Sequence, residues 1–176
     1  MKKIIKEILP YALIVGAVLL LNRFVVINAK IPSQSMETTL MIGDRLFGNR
    51  LAYLNSDPKR YDIVIFHYPD DESQLFVKRL IGLPGDTIEV KNGVVYINGE
   101  HDDTDDEFTS TDLYDDFGPY TVPDNCYFMM GDNRAHSNDS RFWTTTCVRR
   151  DQIVARAGFR YWPLNKIGFV NQYSNN

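Results

Sequence analysis

Apolar positions fall into two regimes along this chain. The first thirty residues, MKKIIKEILPYALIVGAVLLLNRFVVINAK, hold an uninterrupted uncharged run from Ile8 to Leu21, 14 residues long. A bilayer core asks for about 20 apolar residues. Ile4 and Ile5 upstream, and Phe24 to Ile27 downstream, extend the apolar character past Lys6, Glu7, Asn22 and Arg23, whose polar ends can reach the headgroups. The pattern predicts one membrane-crossing helix within residues 1–30. A cleaved secretory leader is the rival reading, but Asn28-Ala29-Lys30 is a poor match to the small-x-small cleavage pattern. Lys2, Lys3 and Lys6 precede the run, so the positive-inside rule puts the N-terminus in the cytoplasm and the remainder outside.

After residue 30 the period changes from helical to two. Asp62 to Tyr68 is β-branched and aromatic and stops at Pro69; Leu75 to Ile81 is a second strand, closed by the turn residues Gly82 to Asp86. In TIEVKNGVVYING two short strands flank Asn92-Gly93, the pair whose residues both tolerate the positive φ of a type I′ hairpin turn. Cys126 to Met130 and Ile153 to Arg160 are further strands. Many short strands with turns between them predict a mainly β body of antiparallel sheets over residues 31–176. An acidic excursion interrupts it at about 98–118. Glu100 to Asp116 carry nine acidic residues, read here as a solvated connection, and the stretch lacks the ligand spacing and glycine of a calcium loop.

Composition narrows the function. Net charge is −4 and the basic residues are scattered, which gives nucleic acid no footprint. The two cysteines, Cys126 and Cys147, make no metal-binding spacing, and whether they pair is left open. The sequence is silent on oligomeric state.

Three separated segments are rich in chemistry: IPSQSMETTL (31–40), FVKRLIGLPGD (76–86) and GDNRAHSNDSR (131–141). A serine needs a base. His136 with Asp132 or Asp139 would make a Ser-His-Asp set, although no serine stands in a nucleophile-elbow pattern. A lysine base must be desolvated, because a free amine with a pKa near 10.4 is neutral only about once in a few thousand at pH 7. Lys78 fits that requirement, since alternation places Phe76, Lys78 and Leu80 on one face of an apolar strand. An edge-strand lysine that blocks aggregation is the plain alternative.

Taken together and in order, four motifs resemble those of the type I signal peptidases, membrane-bound Ser/Lys proteases. They are Pro32-Ser33-Gln34-Ser35-Met36 with Thr39-Leu40; Gly43-Asp44; Lys78-Arg79 with Gly82 to Asp86; and Gly131 to Arg134 with Ser137 and Asp139-Ser140-Arg141. The resemblance runs from the anchor through RYWPLNKIGFV. It implies Ser35 as nucleophile, Lys78 as general base, and the Ser33 hydroxyl with the Ser35 amide as oxyanion hole. Ser137 would orient the lysine. Asp132, Asp139 and Arg141 would support the site, and Phe66, Phe76 and Met129 would bury the amine. It further implies no metal or other cofactor, and preprotein substrates with small residues at −1 and −3, cleaved at the surface of the lipid bilayer. Two departures stand out: Thr38 where the family has proline, and Ala135-His136 where it has Asp-Asn or Asn-Asn. A self-cleaving Ser/Lys protease and a membrane-tethered β domain that binds peptides without cutting them remain as alternative readings.

Overall fold

The computed structural model describes residues 2–109 and 115–170. It opens with a helix, α1 (Lys2–Phe24). Within it, Lys6–Phe24 has a mean hydropathy of 1.6 and no part buried against the rest of the chain. At 1.5 Å per residue the helix is about 34 Å long, enough to cross a hydrocarbon core. Leu13, Ile14, Leu19 and Leu20 all stand exposed, as expected of a helix whose solvent is not water.

Twelve strands follow among the described residues: β1 (Val26–Lys30), β2 (Arg45–Asn49), β3 (Ile63–Tyr68), β4 (Asp71–Gly82), β5 (Thr87–Lys91), β6 (Val94–Ile97), β7 (Glu100–His101), β8 (Phe117–Thr121), β9 (Cys126–Met130), β10 (Val148–Arg149), β11 (Ile153–Trp162) and β12 (Gly168–Phe169). They make two sheets. The larger runs β1-β2-β11-β3-β4-β9-β10, with β12 beside β11; the smaller runs β7-β6-β5-β8. Every ladder is antiparallel. The chain is therefore the expected mainly β body of antiparallel sheets behind one apolar N-terminal helix.

The details follow from residue chemistry. β3 reads as a continuous apolar run because both its faces are covered. Ile63 and Ile65 pack with Ile27, Leu46 and Ala155, while Val64 and Phe66 pack with Leu80, Met129 and Trp143. The β5–β6 turn places Asn92 and Gly93 at φ 51° and 81°, the handedness that lets a two-residue turn follow the strand twist. A third cluster, with Ile81, Ile88, Val95 and Phe128, fills the space between the two sheets. Cys126 and Cys147 lie side by side in it as free, buried thiols. Burial, with the neighbouring Cys147, pushes the Cys126 thiol up to about 12.

Two segments differ from the reading of the sequence alone. Val26–Lys30, part of the apolar N-terminal stretch, is β1 of the large sheet, in register from Val26↔Asn49 to Lys30↔Arg45. Its β-branched residues find a partner strand only in the fold. The acidic excursion is not simply solvated: Asp102 and Asp105 are buried. Asp105 pairs with the buried Arg134, since a buried cation requires an anion beside it, and Asp102 accepts the Tyr61 hydroxyl. Residues 110–114 of the excursion lie outside the described residues.

Gly82 ends β4 where the chain leaves the large sheet for the small one. A Cβ there would lie 2.8 Å from Phe128 Cβ and 3.0 Å from two Ile88 side-chain carbons. Gly82→Ala is expected to lower unfolding stability by about 1–3 kcal/mol through overpacking, measured as a reduced urea midpoint at unchanged slope.

Candidate active site

The first motif forms the loop between β1 and β2. Its neck is closed by Ile31 N–H donating to the Asp44 carbonyl and Gly43 N–H donating to the Ile31 carbonyl, each at 2.9 Å. Gly43 takes φ 89°, which explains the glycine. The Asp44 carboxylate accepts from Met41 N–H at 3.0 Å and from Arg160 on β11 at 2.8 Å. The same guanidinium reaches the Thr39 carbonyl at 3.2 Å. Met36 and Leu40 bury their side chains in the core and pin the loop from below. Ser35 is thereby held buried, while Ser33 is exposed with its Oγ 3.3 Å from Ser35 Oγ. Thr38 adopts φ 81°, a value closed to proline, so the loop's path here differs from one a proline could follow.

Lys78 sits within β4, opposite Val64 on β3, with Phe66 opposite Phe76 and Leu80 opposite Met129 on either side. Phe66 and Met129 are fully buried, and the amine lies 6.0 Å from the Phe76 ring centroid. The residue is 3% exposed, and Nζ donates to Ser137 Oγ at 3.0 Å. Burial pushes the ammonium down to about 8; Asp139 and Asp132 pull the other way, and Arg141 reinforces the depression.

The fourth motif supplies the lysine's partner and its support. Asp139, wholly buried, accepts from Gly131 N–H at 3.0 Å and from Arg141 Nε and Nη2 at 2.8 and 3.0 Å. Burial alone would raise its carboxyl. The Arg141 hydrogen bonds and charge, with further bonds from Ser137 and Gly131, outweigh that and hold it below the usual carboxylate range. Asp132 takes a two-pronged bond from Arg79, at 2.8 and 2.7 Å, and accepts the Thr39 hydroxyl at 2.5 Å. One carboxylate thus ties the serine loop to the residue that follows Lys78. Asn133 N–H donates to the Ser35 carbonyl at 3.1 Å.

These segments converge on a cleft of about 530 Å³, lined by Ser33, Ser35 and Lys78 together with Ile31, Phe76 and Val77. Ser137 stands behind the amine; Asp132, Asp139 and Arg141 stand behind Ser137 and Arg79. His136 also lines the cleft but is exposed, and its Nδ1 lies 3.1 Å from Asn133 Oδ1. Asp132 and Asp139 bond Arg79 and Arg141 instead, so no Ser-His-Asp set forms. Sequence reasoning missed the bracing roles of the Thr39 hydroxyl, Arg160, Arg134 and Asp105. Thr39 and Arg134 were visible within the serine and last motifs, and Arg160 opens RYWPLNKIGFV; Asp105 carries no local signal.

The sequence profile of the family described as signal peptidase, peptidase S26, matches residues 1–162. A probable signal peptidase I-2 of Synechocystis sp. is 39% identical over 155 residues, spanning 85% of this chain and 69% of that one. Signal peptidase I of Bacillus caldolyticus is 37% identical over 172 residues, spanning 91% and 92%. A solved signal peptidase I from Enterococcus faecalis is 33% identical and superposes with a TM-score of 0.47, covering 57% of this chain and 97% of that chain.

Gly131 has the tightest surroundings in the site, because a Cβ on it would collide with Ser137 Oγ and with the Ser35 carbonyl oxygen. Gly131→Ala is expected to lower kcat about 100-fold by pushing the two hydroxyl-bearing segments apart, since displacement of about 1 Å is enough for that. Unchanged circular dichroism beside single-turnover kinetics would separate this from unfolding.

Proposed function

The chain belongs to the signal peptidase family, peptidase S26, and we propose that Ser35 and Lys78 are its catalytic dyad. It is a serine endopeptidase that cleaves signal peptides from preproteins. The observation that carries the dyad is the Lys78 amine: 3% exposed, bonded to the neutral Ser137 hydroxyl, and opening onto the same cleft as Ser35. At a pKa of about 8 roughly one amine in ten is neutral at pH 7, against about one in a few thousand for a free lysine.

Each step then has an atom to perform it. Neutral Lys78 donates one N–H to Ser137, which leaves its lone pair free to take the Ser35 proton. Ser35 Oγ attacks the scissile carbonyl. The Ser35 N–H and the Ser33 hydroxyl stabilise the oxyanion, and Ser33 is exposed enough to turn toward it. Protonated Lys78 gives its proton to the leaving amine, and an acyl-enzyme remains on Ser35. Lys78, neutral again, activates the water that hydrolyses it.

β1 supports the substrate's pose. It is the edge strand of the large sheet, and Asn28 to Ile31 line one wall of the cleft while Gln74 to Lys78 line another. An extended preprotein segment adds to that edge through backbone hydrogen bonds, with small side chains at −1 and −3 fitting shallow depressions beside Ser35. Helix α1 crosses the bilayer with Lys2, Lys3 and Lys6 on the cytoplasmic side, and the β body works on the outer surface. The tether raises the local concentration of membrane-bound substrate.

Ser35→Ala and Lys78→Ala are each expected to abolish preprotein cleavage by the detergent-solubilised chain, while His136→Ala retains it; a domain that only binds peptides would be indifferent to Ser35. Removing the general base corresponds to a loss of about 10²–10⁴-fold. In wild type, kcat/KM is expected to rise with pH, because the active form is the deprotonated amine, with a midpoint near the Lys78 value of about 8. A falling limb in its place would overturn the assignment of the base.

A further inference from the structure

The acidic segment has no place in the chemistry above, yet it is built into the site's rear wall. Asp105 is 1% exposed, and its carboxylate pairs with the Arg134 guanidinium. Arg134 Nε donates to the Gly131 carbonyl at 3.2 Å, and Arg134 opens the single turn Arg134–His136 that runs directly into Ser137. Three further contacts come from the same segment. The Phe108 ring lies over the Arg79 guanidinium, 3.7 Å from Cζ to the centroid. Asp102 accepts the Tyr61 hydroxyl at 2.5 Å, and the Tyr61 carbonyl accepts from Arg79 at 3.0 Å. Asp115 pairs with Arg141 at 2.8 Å. All of these converge on the arginine that follows Lys78 or on the two that flank Ser137. The cleft lining, by contrast, includes none of the described residues of this segment.

We propose that residues 102–108 of the acidic segment form a strap that positions the lysine base, and that Asp105 is its buried anchor, a positioning residue acting through Arg134 on the loop Gly131–Ser137. This rests on the Ser35–Lys78 reading of the site. Without its carboxylate, Arg134 is an uncompensated charge in a dry interior, and the turn that carries it must open toward water. Ser137 is the next residue. As it moves, the amine loses its acceptor and gains hydration, and its proton affinity returns toward that of an ordinary lysine. The loss therefore falls on turnover and on the pH at which turnover begins, with little effect on substrate affinity.

The test uses the full chain in detergent micelles, a preprotein substrate, and the variants Asp105→Asn, Asp105→Glu, Phe108→Leu, Asp103→Asn and Ser35→Ala. For Asp105→Asn the expected result is a kcat lowered about ten-fold at neutral pH, KM within about two-fold of wild type, and a pH–kcat/KM midpoint moved upward by about half a unit or more. Asp105→Glu restores part of both effects. Asp103, exposed and paired with His101, is the control, and Asp103→Asn behaves as wild type. A merely structural Asp105 would lower thermal stability and leave the midpoint in place. A folded Asp105→Asn with wild-type kcat and midpoint overturns the strap. Should that variant fail to fold, Phe108→Leu decides: an upward midpoint supports the strap and an unmoved one overturns it. Cleavage by Ser35→Ala would instead overturn the dyad itself, so the two failures are distinct.

Discussion

Everything in this site depends on keeping one amine dry without giving it a counter-ion. A lysine buried beside a carboxylate would hold its proton, and a lysine in water would hold it nearly as well. Lys78 avoids both conditions. Its bonded partner is a neutral hydroxyl, and each charged group around it is already matched: Arg79 with Asp132, Arg141 with Asp139, Arg134 with Asp105. Desolvation is the largest influence on its proton, ahead of the opposing pull of Asp139 and Asp132 and the added push of Arg141. The pairs therefore surround the lysine with polarity while withholding the charge that would silence it.

Such a wall is expensive to bury, because ion pairs in a core often contribute less than apolar side chains of equal size. What they add here is geometric. Asp132 bonds both Arg79, beside Lys78, and Thr39, four residues beyond Ser35. Asp139 bonds Gly131 and Arg141, and Gly131 leaves no room for a side chain between Ser35 and Ser137. Three pieces of chain separated by dozens of residues are thus locked at fixed distances by bonds that tolerate little misalignment. Apolar packing alone would have allowed the serine loop to slide.

The division of labour across the sheets follows from this. β3, covered on both faces, and the buried C-terminal half of β4 form the floor, and Lys78 projects from β4. A loop between two strands carries Ser35, and a single helical turn runs into Ser137; they are braced from behind by Arg160, Asp44 and Arg134. The edge strand β1 lies open beside the cleft, an unpaired edge of the kind that most β proteins conceal.

The chain's own order of residues was enough for whatever depends on neighbours in sequence. Asn92-Gly93 dictates its turn because both residues accept positive φ; the run Ile63–Phe66 dictates a strand covered on two faces; Ile8 to Leu21 dictates a helix that water cannot solvate. Lys78 was legible as a candidate desolvated amine because Phe76 and Leu80 share its strand face, with an edge-strand lysine as the plain alternative; its 3% exposure was set by the fold. The rest was decided only in three dimensions. Val26–Lys30 belongs to a sheet because Arg45–Asn49 lies beside it, and nothing in its composition separates it from the end of α1. Asp105 is buried because Arg134, 29 residues away, needs an anion, and Arg160 braces a loop 121 residues before it. Local propensity writes the turns, strands and spans. Long-range electrostatic pairing and packing decide which polar residues are drawn inside, since a charge gains its partner only when the fold closes around both.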